Sequence, residues 1–162
     1  MNLNLLFDMQ RELDKRIEMK HELQNESLIE RKLLALLVEI GELANETRCF
    51  KFWSLKPPSE KKIILEEYVD GLHFLLSIGI ELNMTAVNIP SPEPSKEDLT
   101  TQFLMIYEDI SRFKNNRSKE HYIQLFHRYL NLGVSLHFTM DDVYHAYVSK
   151  NEVNHERQNQ GY

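Results

Sequence analysis

Two acidic pairs, each spaced i, i+3 inside an otherwise apolar helix, constrain this 162-residue chain more than any other feature. The first lies in LLALLVEIGELANE, residues 33–46. Leu33, Leu36, Leu37, Ile40, Leu43 and Ala44 recur at helical spacing and define one buried arc. Glu39, Glu42 and Glu46 fall at i, i+3 and i+7, on one stripe beside that arc. Like charges so placed destabilise a helix by about 0.2–0.5 kcal/mol per pair. A hard cation offsets the repulsion, because Mg²⁺ and Mn²⁺ take carboxylate oxygens as ligands.

One E-x-x-E taken alone reads as a solvated acidic face. The second copy changes that reading. Glu67 and Asp70, in EEYVDGLHFLL, repeat the spacing among Ile63, Ile64, Leu65, Val69, Leu72, Phe74, Leu75, Leu76 and Ile78. Two such pairs on consecutive helices predict a cage of four carboxylates.

Five glycines and five prolines, with long periodic runs between them, predict an all-α chain, a bundle of about five to six helices. The length suits one domain, residues 1–162, burying roughly 70% of its unfolded surface. Net charge of −6 argues against a nucleic-acid polymer as partner, since neutralising phosphates needs basic surface. It leaves room for a nucleotide held through a cation. The single cysteine, Cys49, excludes an intrachain disulfide and a thiolate zinc site. The start lacks the pattern of a signal peptide, and no apolar run reaches the ~18 residues of a membrane span. The expectation is a cytoplasmic protein with no membrane partner.

In chain order, a first helix is expected over about 2–23, with Leu6, Met9, Leu13 and Ile17 buried and Gln10 and Asp14 beside that stripe. On pattern alone Gln10 is a surface glutamine. Ser27 and Glu30 fit a capping box opening the second helix, which ends near Thr47. The loop RCFKFWSLKPPSE carries Phe50, Phe52 and Trp53, either lids over the core or walls of a binding slot, with Lys51 and Lys56 able to meet an anion. A third helix spans about 59–82, with Gly71 mid-helix and His73 on a face adjoining the acids. A proline-rich loop follows, then helices over about 95–114 and 118–131, and a sixth from about Thr139. The tail from 148 to 162 departs from the apolar patterning. Its Lys150, Asn151, Asn154, Arg157 and Gln158 place donors largely on one face, suited to phosphate oxygens. Without a ligand that tail reads as a fraying polar terminus.

Taken together, E-I-G-E-L-A-N-E, the W-S after an aromatic-lysine loop, E-E-Y-V-D-G-L-H and K-N-x-x-N-x-x-R-Q-x-x-G-Y make the chain resemble the dimeric all-α dUTPases. These belong to the all-α nucleoside-triphosphate pyrophosphatase superfamily that includes the MazG proteins. The resemblance covers nearly the whole chain. It implies Mg-dependent hydrolysis of dUTP, and of dUDP, to dUMP, with pyrophosphate released from dUTP. It also implies that Glu39, Glu42, Glu67 and Asp70 hold two or more Mg²⁺ or Mn²⁺ ions, and that Glu39 orients the attacking water. Gln10 and His73 would face the deoxyuridine and Trp53 would stack near the base. Lys150, Asn154 and Arg157 would hold phosphates, with Tyr162 close by. A homodimer is implied, with the aromatic loop working across the interface. One departure stands out: members usually continue past G-Y with further, often basic, residues, whereas this sequence stops at Tyr162.

Three other readings fit the residues. One is a MazG-like pyrophosphohydrolase of another nucleotide, such as dCTP or a modified triphosphate. Another is a di-iron helical bundle, because Asp70 with His73, Asp142 with His145 and Glu152 with His155 are carboxylate-x-x-His units. The third is a helical interaction module without chemistry.

Overall fold

The computed structural model describes residues 2–161, and among them every regular element is helical. The six helices are α1 (Leu3–Lys20), α2 (Ile29–Thr47), α3 (Lys61–Glu81), α4 (Leu99–Asn115), α5 (Lys119–Ser135) and α6 (Met140–Asn159). The all-α bundle expected from the periodicity is the fold observed. Among the described residues no helix is long and apolar enough to cross a membrane.

α3 is the axis of the bundle. Tyr68, Val69, Leu72, Leu75, Leu76 and Ile78 are all buried, and the helix packs against α1, α2, α5 and α6. A helix apolar on nearly every side must be enclosed in this way. α2 lies along α3 over the longest contact, while α4 and α5 form a hairpin that closes the far side. The two acid-bearing helices are therefore neighbours in space as well as in sequence.

Gly71 lets α3 approach α5. The rings of Tyr68 and Tyr129 stack at 4.7 Å, and each hydroxyl donates to the backbone carbonyl of the other residue, at 3.1 and 2.6 Å. A methyl group on Gly71 would overlap the Tyr129 hydroxyl, and one on Gly133 would overlap that of Tyr68. The mid-helix glycine is thus explained by a packed tyrosine.

Helix ends follow local chemistry and differ from expectation in several places. α2 has no Ser27–Glu30 box. The Glu81 carboxylate at the end of α3 accepts from Leu28 N at 2.7 Å and pairs with Lys32 at 2.7 Å, while Glu30 pairs with Arg117. The packed neighbour's carboxylate takes both the Leu28 N–H and the Ser27 hydroxyl, and only tertiary structure supplies it. α3 begins at Lys61 because Ser59 is tied to Glu46 through both backbone and side chain. α4 starts after Asp98, whose side chain accepts from Thr101 N. The tail is no departure from the bundle: Thr139 and Asp142 form a capping box, and α6 runs unbroken to Asn159.

Candidate functional site

The sequence placed Glu39 one turn from Glu42 on α2, and Glu67 one turn from Asp70 on α3. Because α2 and α3 pack lengthwise, the two stripes meet. Glu39, Glu67 and Asp70 each offer a carboxylate oxygen within 4.8 Å of the others. All three are half-buried. Glu42 stands outside this trio and is exposed, yet its charge still acts on Glu39 and Glu67. Glu46 is engaged with Ser59.

Burial and mutual repulsion make these acids reluctant to ionise. The Glu39 carboxyl is pushed up to about 7, first by desolvation and then by the charges of Asp70, Glu42 and Glu67. Glu67 is raised by burial and by Asp70. Asp70 is raised by burial, against the opposing pull of Lys150. Lys150 Nζ lies 2.8 Å from Asp70 and 3.1 Å from Glu66, so its ammonium partly neutralises the cluster. Hard oxygen donors, close together and short of positive charge, fit a hard divalent cation. Among the described residues this is the group of acids, histidines and cysteines placed to hold a metal, and it contains no histidine. The other carboxylate-x-x-His units lie apart from it. Asp142 caps α6, His145 is exposed, and His155 contacts Arg16.

Beside the acids opens a hollow of about 330 Å³ between α1, α3 and α6. Glu39 and Asp70 line it, as do Gln10, His73, Lys150, Asn154 and Arg157. The three α6 residues are spaced i, i+4 and i+7, so a continuous helix turns them to the same side. Gln10 is buried rather than a surface residue. Its Oε1 meets His73 Nδ1 at 2.6 Å and the Tyr147 hydroxyl at 2.8 Å, and its Nε2 donates to Asp14 at 2.7 Å. His73 is likewise buried, and desolvation followed by the Lys150 charge lowers its pKa to about 3.

Trp53 lies elsewhere. It is 64% exposed on the loop after α2, edge-on to Phe50 and Phe52. Tyr162 lies outside the described residues. One participant escaped the reading of site residues. Tyr147 follows Val143 at helical spacing on α6, and its contact with Gln10 depends on how α1 packs. Asn151, expected among the donors of the tail, is buried.

This architecture agrees with the comparison to known proteins. A family model described as dUTPase matches residues 2–162. No curated protein matches the chain. An interaction module without chemistry is overturned by the family match, which spans every helix of the bundle and both acid-bearing segments. The chain belongs to the all-α dUTPase family, and it is a hydrolase of the nucleoside triphosphate diphosphatase class acting on a small nucleotide.

Proposed function

We propose that the protein hydrolyses dUTP to dUMP and pyrophosphate, and accepts dUDP, with Mg²⁺ held by Glu39, Glu67 and Asp70 and supported by Glu42. The observation that carries this reading is the convergence of carboxylates from α2 and α3 beside a hollow of about 330 Å³ that Glu39 and Asp70 help to line. When bound, divalent ions would neutralise phosphate charge and lower the pKa of a coordinated water.

The chain's own residues divide the remaining work. Glu39 orients the attacking water and takes its proton. The water oxygen bonds to phosphorus, and the bond from phosphorus to the leaving pyrophosphate oxygen breaks. Lys150, Asn154 and Arg157 hold phosphate oxygens from α6, lysine as a point charge and arginine as a planar fork. Gln10 and His73 face the nucleoside. The helical segment 148–159, with the residues that follow it, is the phosphate-binding part of a single 1–162 domain, and Tyr162 completes it.

The homodimer belongs to the same reading. Leu34 and Val38 on α2, Leu104 on α4 and Phe52, Trp53 and Leu55 on the loop are all at least half exposed, an apolar surface a second copy would cover. Trp53 would then reach the base bound by the partner. The cytoplasm is the compartment that suits this nucleotide chemistry.

A panel of nucleoside triphosphates and diphosphates with Mg²⁺, scored by the monophosphate formed, tests the proposal. dUMP from dUTP is the expected leading product. Equal turnover of all pyrimidine nucleotides would contradict it.

A further inference from the structure

A largely buried hydrogen-bond chain runs through residues lining the hollow, and its polarity can be read from one end to the other. Ser77 Oγ donates to Asp14 Oδ2 at 2.6 Å, and Gln10 Nε2 donates to Asp14 Oδ1 at 2.7 Å. A carboxylate only accepts, so the nitrogen of the Gln10 amide faces Asp14 and its oxygen faces the other way. That oxygen meets the Tyr147 hydroxyl at 2.8 Å and His73 Nδ1 at 2.6 Å. An amide oxygen has only lone pairs to offer, so Nδ1 of His73 carries the hydrogen.

Burial keeps the imidazole neutral. A neutral ring protonated at Nδ1 has a lone pair at Nε2. In this structure Nε2 is buried and has no hydrogen-bond partner. The ring cannot readily turn over, because it stacks on Tyr147 with centroids 4.2 Å apart and planes 24° from parallel. His73 lines the hollow, so a fixed, unsatisfied acceptor sits in its wall, buried in this structure, and leaving such a group unpaired costs about 1–3 kcal/mol.

We infer that Asp14 and Tyr147 are positioning residues that hold Gln10, and through it His73, in the one arrangement that accepts a hydrogen bond from the base. Resting on the reading of the hollow as the nucleoside site, this makes the pocket select a pyrimidine bearing N3–H, as uracil does, over cytosine, which has a lone pair at N3. Two lone pairs facing each other leave both groups unpaired, so the wrong base is rejected rather than merely held less tightly.

Long-range ¹H–¹⁵N correlation of the histidine ring nitrogens in the substrate-free protein, paired with kcat/KM for dUTP and dCTP, tests this. Wild type should show His73 protonated at Nδ1 alone and neutral down to pH 5. Tyr147→Phe should give a mixture of tautomers and lower the dUTP-over-dCTP ratio about tenfold, through KM for dUTP rather than kcat. Asp14→Asn, whose amide permits Gln10 to turn over, should give the same pair of changes by a separate route and covers the case in which Tyr147→Phe fails to fold. Protonation of the wild-type ring at Nε2, or a folded variant that loses the tautomer but keeps the ratio, would overturn the inference. Failure of the wild type to turn over dUTP, with Nδ1 protonated, would overturn the nucleoside reading and the selectivity with it, and would leave the tautomer assignment standing.

Discussion

Tyr68 and Tyr129 exchange hydroxyls across the α3–α5 contact, each bonding to the other's backbone carbonyl while their rings stack at 4.7 Å. The pair sits under the acidic stripe of α3, because Tyr68 lies between Glu67 and Asp70 in the chain. Gly71 provides the space for it.

Gly71→Ala should therefore destabilise the protein by about 1–3 kcal/mol through overpacking, despite alanine's better helix propensity. Urea denaturation measures this. A stability gain would mean that Tyr129 moves aside without loss.

Asp109 offers a control remote from the hollow. It is 3% exposed and is held by Arg128, by Arg112 at 2.9 Å and by Gln124 at 3.0 Å. Asp109→Ala removes the buried carboxylate shared by Arg128, Arg112 and Gln124 and should cost about 1–3 kcal/mol, because both guanidiniums reach solvent. At temperatures where the variant stays folded, KM for the nucleotide should match wild type.

Metal-free protein should lose stability as pH rises toward neutrality. Glu39 has a folded pKa of about 7 against an ordinary 4.5, so between those values the folded state binds more protons than the unfolded. This contribution is fully present below about pH 4.5 and gone above about pH 7. Glu67 and Asp70, also raised, act in the same direction. Thermal melts from pH 5 to 8 with EDTA should show the decline against the background of other groups, and millimolar Mg²⁺ should reverse it near neutrality. A decline unaffected by Glu39→Gln would remove Glu39 as its source.

Lys150 pairs with Asp70 and Glu66, so a cation arriving at the acids must compete with its ammonium. Lys150→Met should tighten Mn²⁺ binding to the nucleotide-free protein by roughly tenfold, the order of one charge-assisted hydrogen bond. It should also raise KM for the nucleotide. Weaker Mn²⁺ binding would show that Lys150 organises the acids instead.

The acid pairs and the helices that carry them were legible because both obey one short period. Leu33, Leu36, Ile40 and Leu43 mark the buried arc of α2, and the glutamates follow it one step round. What the period could not give was depth. Gln10 reads as a surface residue beside Leu13, yet α6 covers it with Tyr147. The polar stretch after Val148 reads as a tail because its apolar anchors end, although Asn151 is buried within it. The cap of α2 comes from Glu81, 53 residues away from Leu28, beyond the reach of any local motif. Long-range polar contacts, rather than helix formation, were the hidden part.

The central claim is that Glu39, Glu67 and Asp70 form one cation site. Mn²⁺ titration followed by electron paramagnetic resonance, on wild type and on a Glu39→Gln/Glu67→Gln variant confirmed as folded by circular dichroism, tests it most directly. Saturable binding by the wild type that is lost in the variant is the predicted result. Binding of equal affinity and stoichiometry in both proteins would contradict the account.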